Sequence, residues 1–382
     1  MAEPRHDYYL LTPGPLTVPA EIKAAMQRDR NPGGPDHIAI TRDVRRYLLE
    51  ICNGTETHEC VLLQGSSTYA IEACFHTLLP AGARLLIIVN GFYGNRLREV
   101  AEGARVDVVT LQLPNVPLPT RADLEAALDA DPSITHIALC QAETGTGALN
   151  PVEMVAEIAR ERGLGLMVDS VACFGGVAID VAALDVDAVF VSPNKCLESV
   201  PGVGIAIVKR SVLLAAKGQS PSGVLDLHAQ WKFMEETGNW RWTPPTHVMG
   251  ALGVACDLHR REGGPGPRLD RYRRNWRILV DGLRQQGFQT LLPDDVAVPI
   301  IATFHDPVDP GYSFPAFHAA MLRRGIEIFP GRLTAAGTFR IGVMGDLVEQ
   351  DMIFVLGQIC AAFEEIGVQM PLSDAAQAVE TA

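Results

Sequence analysis

Val189-Phe-Val-Ser-Pro-Asn-Lys-Cys-Leu-Glu-Ser-Val-Pro-Gly-Val-Gly-Ile-Ala-Ile-Val-Lys209 sets a single lysine, Lys195, between two short apolar runs. The runs Ala188–Val191 and Val203–Val208 are free of charge and rich in β-branched residues, the composition of strands covered on both faces. Lys195 is thereby delivered to a strand end. In apolar surroundings a lysine loses the hydration of its ammonium form, so its pKa falls and the neutral amine becomes a nucleophile toward a carbonyl. The competing reading is a side chain that snorkels from the strand end into water. What else the chain brings to the same place decides between the two.

Outward from that stretch the chain alternates strand and helix. Toward the N-terminus the expected strands are 60–64, 84–89, 106–111, 134–141 and 164–169, separated by helices over 67–79, 93–102, 122–130 and 152–162. Such alternation marks an α/β fold with a mostly parallel, seven-stranded sheet flanked by helices, and ligands of such sheets bind beyond the strand carboxyl ends. Earlier still, helical periodicity covers 19–27 and 41–52 around the Gly/Pro-rich Asn31-Pro-Gly-Gly-Pro35, and Tyr8–Thr17 with its Pro13-Gly-Pro15 turn reads as a rigid loop. After Lys209, helices over 226–236, 247–261 and 269–286 lead to expected strands 299–304, 326–329 and 338–341 and helices 314–323 and 347–366, an α+β pattern. The expected organisation is an N-terminal active-site loop at 1–20, a large α/β domain at 21–262, a smaller C-terminal α+β domain at 263–370 and a flexible tail at 371–382.

Composition sets outer limits. A chain of 382 residues exceeds what one core normally fills, and 47% hydrophobic with 20% charged residues is ordinary globular usage. The net charge of −13 argues against a nucleic-acid partner. No apolar run approaches the length of a membrane span and the first residues lack a secretory pattern, so a cytoplasmic protein with no membrane partner is expected. The eight cysteines include no Cys-x-x-Cys pair, so neither a metal site nor a disulfide framework is indicated.

Four features point to one chemistry. Gln64-Gly-Ser-Ser-Thr-Tyr69 follows a strand and opens a helix, so its N–H groups and hydroxyls offer an anion cradle at the positive end of the helix dipole; plain helix capping by Ser66 or Ser67 is the alternative. Asp169 ends an apolar strand, where a carboxylate needs a cationic partner such as a protonated pyridine nitrogen, or else a cap or an ion pair. Glu143-Thr-Gly-Thr-Gly147 offers hydroxyls beside two glycines, and Tyr93 in Asn90-Gly-Phe-Tyr-Gly94 offers a face for stacking or a place in the core. With Lys195 on the same sheet, these describe a site for pyridoxal 5'-phosphate joined to the lysine as a Schiff base. Arg340, in a late strand, presents a planar fork suited to a carboxylate or phosphonate, or to a structural ion pair.

At the level of motifs the chain resembles the class V (fold-type I) aminotransferases, and among them the 2-aminoethylphosphonate–pyruvate transaminases. The resemblance runs through Leu10-Leu-Thr-Pro-Gly-Pro-Leu-Thr17, Val61-Leu-Leu-Gln-Gly-Ser66, Val89-Asn-Gly-x-Tyr-Gly94, Asn194-Lys-Cys-x-Glu-x-Val-Pro-Gly202 and Trp240-Arg-Trp-Thr-Pro-Pro-Thr-His247. It implies Lys195 as the Schiff-base lysine, Asp169 on the pyridine nitrogen, Val171 under the ring and Tyr93 stacked on it. It further implies Ser66, Ser67 and Thr68 around the phosphate, Thr144 near the phenolate oxygen and Asn194 beside the cofactor. Thr243 is implied to reach the phosphate of a neighbouring subunit, hence a homodimer with shared sites. Arg340 is implied to receive the acidic group of the substrate, under a loop containing Gly14. The chain departs from the usual motifs at Ser67, at Gly145, in Asp169-Ser-Val-Ala-Cys-Phe174 and in the stretch Asn31–Asp36, all on loops expected to line the site.

The implied activity transfers the amino group of 2-aminoethylphosphonate to pyruvate, or runs the reverse. Alternatives within the family are an alanine–glyoxylate or serine–pyruvate aminotransferase and action on another phosphonate such as phosphonopyruvate. Outside it, a cysteine desulfurase would need a reactive thiol on a loop, while Cys360 falls in a helical pattern and Cys196 adjoins the lysine. A non-catalytic regulator would need an appended DNA-binding segment, for which the chain leaves no room.

Overall fold

The computed structural model describes residues 3–114, 118–331 and 337–372. They gather into two compact units, one from Ala20–Glu143 with Leu149–Gly266, the other from the described residues of Met1–Pro19, Thr144–Ala148 and Pro267–Ala382. Most of the segment expected as a tail, from residue 373 on, lies outside the described residues.

The first unit is built on a seven-stranded sheet with the spatial order His58–Gly65, Gly202–Lys209, Ala188–Val191, Gly165–Asp169, His136–Cys140, Arg84–Val89, Asp107–Gln112. Five neighbours from Asp107–Gln112 to Ala188–Val191 pair in parallel, and Gly202–Lys209 runs antiparallel to both of its neighbours. His58–Gly65 is therefore parallel to the other five. The carboxyl ends of six strands, at Gly65, Val89, Gln112, Cys140, Asp169 and Val191, lie along one edge together with the start of the seventh at Gly202. The cradle, the Asn90–Gly94 turn, the Asp169 end and the lysine loop all leave from that edge, whereas the Trp240–His247 stretch joins helices Leu227–Thr237 and Thr246–Glu262.

Alternation along the strands feeds two cores. Leu62, Leu86, Ile137, Val168, Val189 and Ile205 pack with helices Pro35–Glu50, Arg121–Ala130, Val152–Arg162 and Thr246–Glu262 on one face. Val61, Leu85, Ala138, Met167, Phe190 and Ala206 pack with Ser67–Leu78 and Phe92–Gly103 on the other. With helices on both faces, the strands carry unbroken apolar runs.

In the second unit, Ile301–His305 pairs antiparallel with Thr338–Gly342, and Tyr9–Leu11 pairs in parallel with Ile326–Ile328. Phe288, Phe304, Phe317, Phe339 and Phe363 centre its core, with the Phe317 and Phe363 rings stacked 4.2 Å apart. The Tyr8–Thr17 stretch is thus a strand at its start and a loop only afterwards. Leu10 N donates to Thr17 Oγ1 at 2.8 Å, but the strand is made by pairing with a partner more than 300 positions away, which local pattern does not reveal. The helix expected from residue 41 begins at Pro35, because Pro35 occupies the first turn, where a missing N–H costs nothing. A short helix, Arg210–Ala215, had no counterpart in the sequence reading.

Candidate active site

The lysine loop leaves Val191 and folds back tightly: Glu198 N donates to Lys195 O at 2.7 Å and Ser199 N to Pro193 O at 2.8 Å. Ser192 Oγ donates to Asn194 Oδ1 at 2.6 Å, which fixes the residue just before the lysine. Lys195 itself is partly buried. Burial pulls its pKa down to about 8 and the Arg96 charge pulls the same way, while the Cys196 thiol and the Asp169 carboxylate oppose. The amine is therefore poised to be neutral near ordinary working pH.

Asp169 sits at the carboxyl end of its strand with a nearly buried side chain. Its Oδ1 accepts from Val171 N at 2.9 Å and its Oδ2 from Arg96 Nη2 at 2.7 Å. A carboxylate has about four acceptor positions, so these two bonds leave capacity for a further N–H. Val171 is buried. The Arg96 guanidinium carbon lies 4.8 Å from the centroid of the Tyr93 ring, which joins Tyr93 to the same cluster. Burial works against the charge on Arg96 and the adjacent Asp169 outweighs it, raising the pKa of the guanidinium.

Two residues to which the sequence reading gave no role hold this cluster together. Arg96 lies one helical turn beyond Tyr93, the spacing that puts both on one face. Glu143, fully buried, accepts from Tyr93 N at 2.9 Å and Gly94 N at 3.2 Å, so its carboxylate closes the N-terminus of Phe92–Gly103. The bare N-terminus of that helix was the one signal available, since such ends attract anions.

The cradle follows Gly65. Ser66 stands at the N-cap of Ser67–Leu78 with extended backbone, and its side chain makes no capping hydrogen bond. Capping, the alternative for this serine, is not how its hydroxyl is used. Ser66 is exposed, Ser67 nearly buried and Thr68 intermediate. Gly204, in the strand after the lysine, supports the cradle from beneath: a Cβ there would lie 2.5 Å from Ser66 O. Trp242 and Thr243 line a cavity of about 340 Å³ with Gln64, Gly65 and Tyr69 of the same chain.

In the second unit, Arg340 is nearly buried on Thr338–Gly342. Its Nη1 donates to Thr144 O and its Nη2 to Gly331 O at 2.8 Å, and the guanidinium carbon stands 5.0 Å from the Phe329 ring centroid. Gly14, at φ 112°, donates its N–H to Thr12 Oγ1 at 3.1 Å. Thr12 O in turn passes so close to Gly342 that a Cβ on that glycine would approach it to 2.4 Å. The N-terminal loop and the Arg340 strand are thus in direct contact.

The first unit brings together Lys195, Asn194, Asp169, Val171 and Tyr93, with Ser66, Ser67 and Thr68 on the same sheet edge. Thr144, Arg340 and Gly14 belong to the second unit. The donor set fits pyridoxal 5'-phosphate: an amine of depressed pKa, a buried carboxylate with acceptor capacity left over and a helix N-terminus whose cap hydroxyl is uncommitted.

The family described as Aminotransferase class-V matches residues 21–295. A 2-aminoethylphosphonate–pyruvate transaminase of Burkholderia pseudomallei is 43% identical over 370 residues, covering 96% of this chain and all of that one. Among solved structures, an alanine–glyoxylate aminotransferase from Nostoc sp. aligns with a TM-score of 0.84 at 27% identity, covering 96% of this chain and 97% of the other. A pyridoxamine–pyruvate aminotransferase from Mesorhizobium loti aligns with a TM-score of 0.86 at 23% identity, covering 99% and 98%, a likeness of fold.

Proposed function

The chain belongs to the class V aminotransferases, and on that premise we propose that it transfers the amino group of 2-aminoethylphosphonate to pyruvate with pyridoxal 5'-phosphate as cofactor. The observation that carries the chemistry is the pairing of a lysine amine at about 8 with the buried, strand-end Asp169. The observation that carries the substrate is the 43% identity, over nearly the whole chain, to transaminases of that name.

When bound, the cofactor supplies an electron sink for the carbon that loses its proton. Lys195 Nζ would hold the aldehyde end of the cofactor and would serve as the base and then the acid for the carbon-bound proton. Asp169 would keep a proton on the ring nitrogen, and Val171 and Tyr93 would be the apolar and aromatic contacts that orient the ring. Ser66, Ser67, Thr68 and the N-terminus of Ser67–Leu78 receive the phosphate. Thr144 orients the phenolate oxygen and Asn194 the adjoining edge. Arg340, whose plane is fixed by two carbonyls and the Phe329 ring, grips the phosphonate and later the pyruvate carboxylate, beneath the loop that holds Gly14.

A homodimer is part of this reading. Tyr69 (54% exposed) and Trp242 (51%) leave large aromatic surfaces in water beside the cradle, as a subunit interface would require. Thr243, on the rim of that surface, is the residue we assign to the partner's phosphate. The unbridged cysteines suit the cytoplasm. No helix among the described residues is long and apolar enough to cross a membrane.

A desulfurase is disfavoured because Cys196 is buried and Cys360 lies within Glu349–Glu365 with its thiol pKa pushed up by burial. The test is a panel of amino donors, each mixed with the cofactor-loaded protein while the cofactor absorbance is followed. Rapid conversion by 2-aminoethylphosphonate, reversed by pyruvate, is expected. Ready reaction of alanine or serine with glyoxylate, and none of 2-aminoethylphosphonate, would replace this substrate with that of an alanine–glyoxylate or serine–pyruvate enzyme.

A further inference from the structure

Asp169 already has a cationic partner supplied by the chain. Arg96 Nη2 bonds to Asp169 Oδ2 at 2.7 Å, while the guanidinium leans on the Tyr93 ring and its Nε is buried without a hydrogen-bond partner among the described residues. The pair is anchored at both ends, since Val171 N holds the other carboxylate oxygen and Glu143 fixes the first turn of the helix that carries Arg96. A charge so placed cannot swing away into water without breaking a desolvated ion pair, which is strongly unfavourable.

We propose that Arg96 is a positioning residue that remains paired with Asp169 and sets how much of that carboxylate's charge is felt by the two nitrogen bases of the site, Lys195 Nζ and the ring nitrogen of the bound cofactor. The second half of this statement rests on the cofactor reading above; the first concerns the chain alone. A bare aspartate would hold a proton tightly on both bases. Sharing the carboxylate with a permanent cation loosens both holds, which keeps the lysine amine neutral often enough to react and lets the ring nitrogen vary its hydrogen bond to Asp169. The field of Arg96 on Lys195 acts in this sense. Among the described residues, the other ionisable groups facing the pair are Cys140, Cys173, Tyr93 and Cys196, with Glu143 near Cys140, and burial pushes the Cys173 thiol up as well. The Cys140 thiol is held neutral by burial, which pushes its pKa well up, so it does not compete as a charge.

The test reads Lys195 directly. In cofactor-stripped protein, the rate of Lys195 labelling by an amine-acylating reagent is followed by peptide mass spectrometry from pH 6 to 10, giving the midpoint of the amine. Arg96→Gln should raise that midpoint by about one pH unit or more, while Arg96→Lys, which keeps the charge, should leave it near the wild-type value. Asp169→Asn keeps Arg96 and removes the carboxylate, so it should lower the midpoint, and should Arg96→Gln not fold, the equally uncharged Arg96→Met is read in its place and should raise the midpoint as well. An unmoved midpoint in Arg96→Gln, an equal rise in Arg96→Lys, or no fall in Asp169→Asn overturns the proposal. In loaded protein the absorbance of the lysine-bound cofactor should titrate with the same order of variants. Wild-type protein that never takes up pyridoxal 5'-phosphate would defeat the cofactor reading and leave the labelling result standing.

Discussion

Lys195, partly buried, and Arg340, nearly buried, are both cations, yet their surroundings treat the charge in opposite ways. Around Lys195 the protein removes water and adds a second cation, so the ammonium form is penalised and the group sits where it can give up a proton. Around Arg340 it supplies carbonyl oxygens and an aromatic face, partners that accept from or lie against a guanidinium and cannot take its proton. One region is built for a charge that switches, the other for a charge that stays. Under the proposed function, bond making and proton transfer fall to the first and grip on an anion to the second.

Removing the switching charge has the largest effect. Lys195→Ala should lower turnover by about 10⁴-fold or more and abolish the absorption band of lysine-bound cofactor, with the far-ultraviolet circular dichroism unchanged. Turnover at an ordinary rate would erase the contrast. Asp169→Ala should cost about a thousandfold in each half-reaction, measured by stopped-flow absorbance, since the ring nitrogen loses its counterion. A change of a few-fold would make Asp169 a structural cap.

The constant charge is probed by Arg340→Lys, which keeps the sign and loses the fork. Both half-reactions should slow by about 10–100-fold in kcat/KM, with the position of the pH profile unmoved. A shifted pH profile would mean that Arg340 also takes part in proton handling. The smallest effect is expected where the chain only positions its groups. Glu143→Gln keeps an acceptor for Tyr93 N and Gly94 N but loses the charge at the helix end, and should cost about 1–3 kcal/mol of stability by denaturant unfolding, with a weaker hold on the cofactor.

Both regions were legible in the sequence at the level of elements, the Arg340 strand being expected at 338–341 and found at Thr338–Gly342. Lys195 and Asp169 stand beside apolar strands whose expected and observed bounds agree to within a residue, and at Arg84–Val89, Val152–Arg162 and Phe314–Arg323 the bounds coincide. What escaped was every contact that needs distance to be seen. Arg96 reaches an aspartate 73 positions away, and its own surroundings in sequence, Gly-Asn-Arg-Leu-Arg, look like an ordinary exposed helix face. Glu143 stood in a motif noticed for its threonines, and its partners lie about 50 positions earlier. The strand Tyr9–Leu11 was hidden by the Pro13-Gly-Pro15 turn that follows it. Periodicity reports what an element buries, and says nothing of which side chain it extends to another element.

The backbone contact beneath the cradle makes the site a ruler. Gly204 belongs to the strand that the lysine loop feeds, and Ser66 O rests where its side chain would begin. The next residue, Ile205, is in register with Val191, from which the lysine loop departs. The main-chain segments that carry the residues assigned to the two ends of the cofactor, its phosphate and its aldehyde, are therefore spaced by main chain laid against main chain. Vitamers that lack the phosphate, or carry it one atom further out, should be measured against that fixed length and refused.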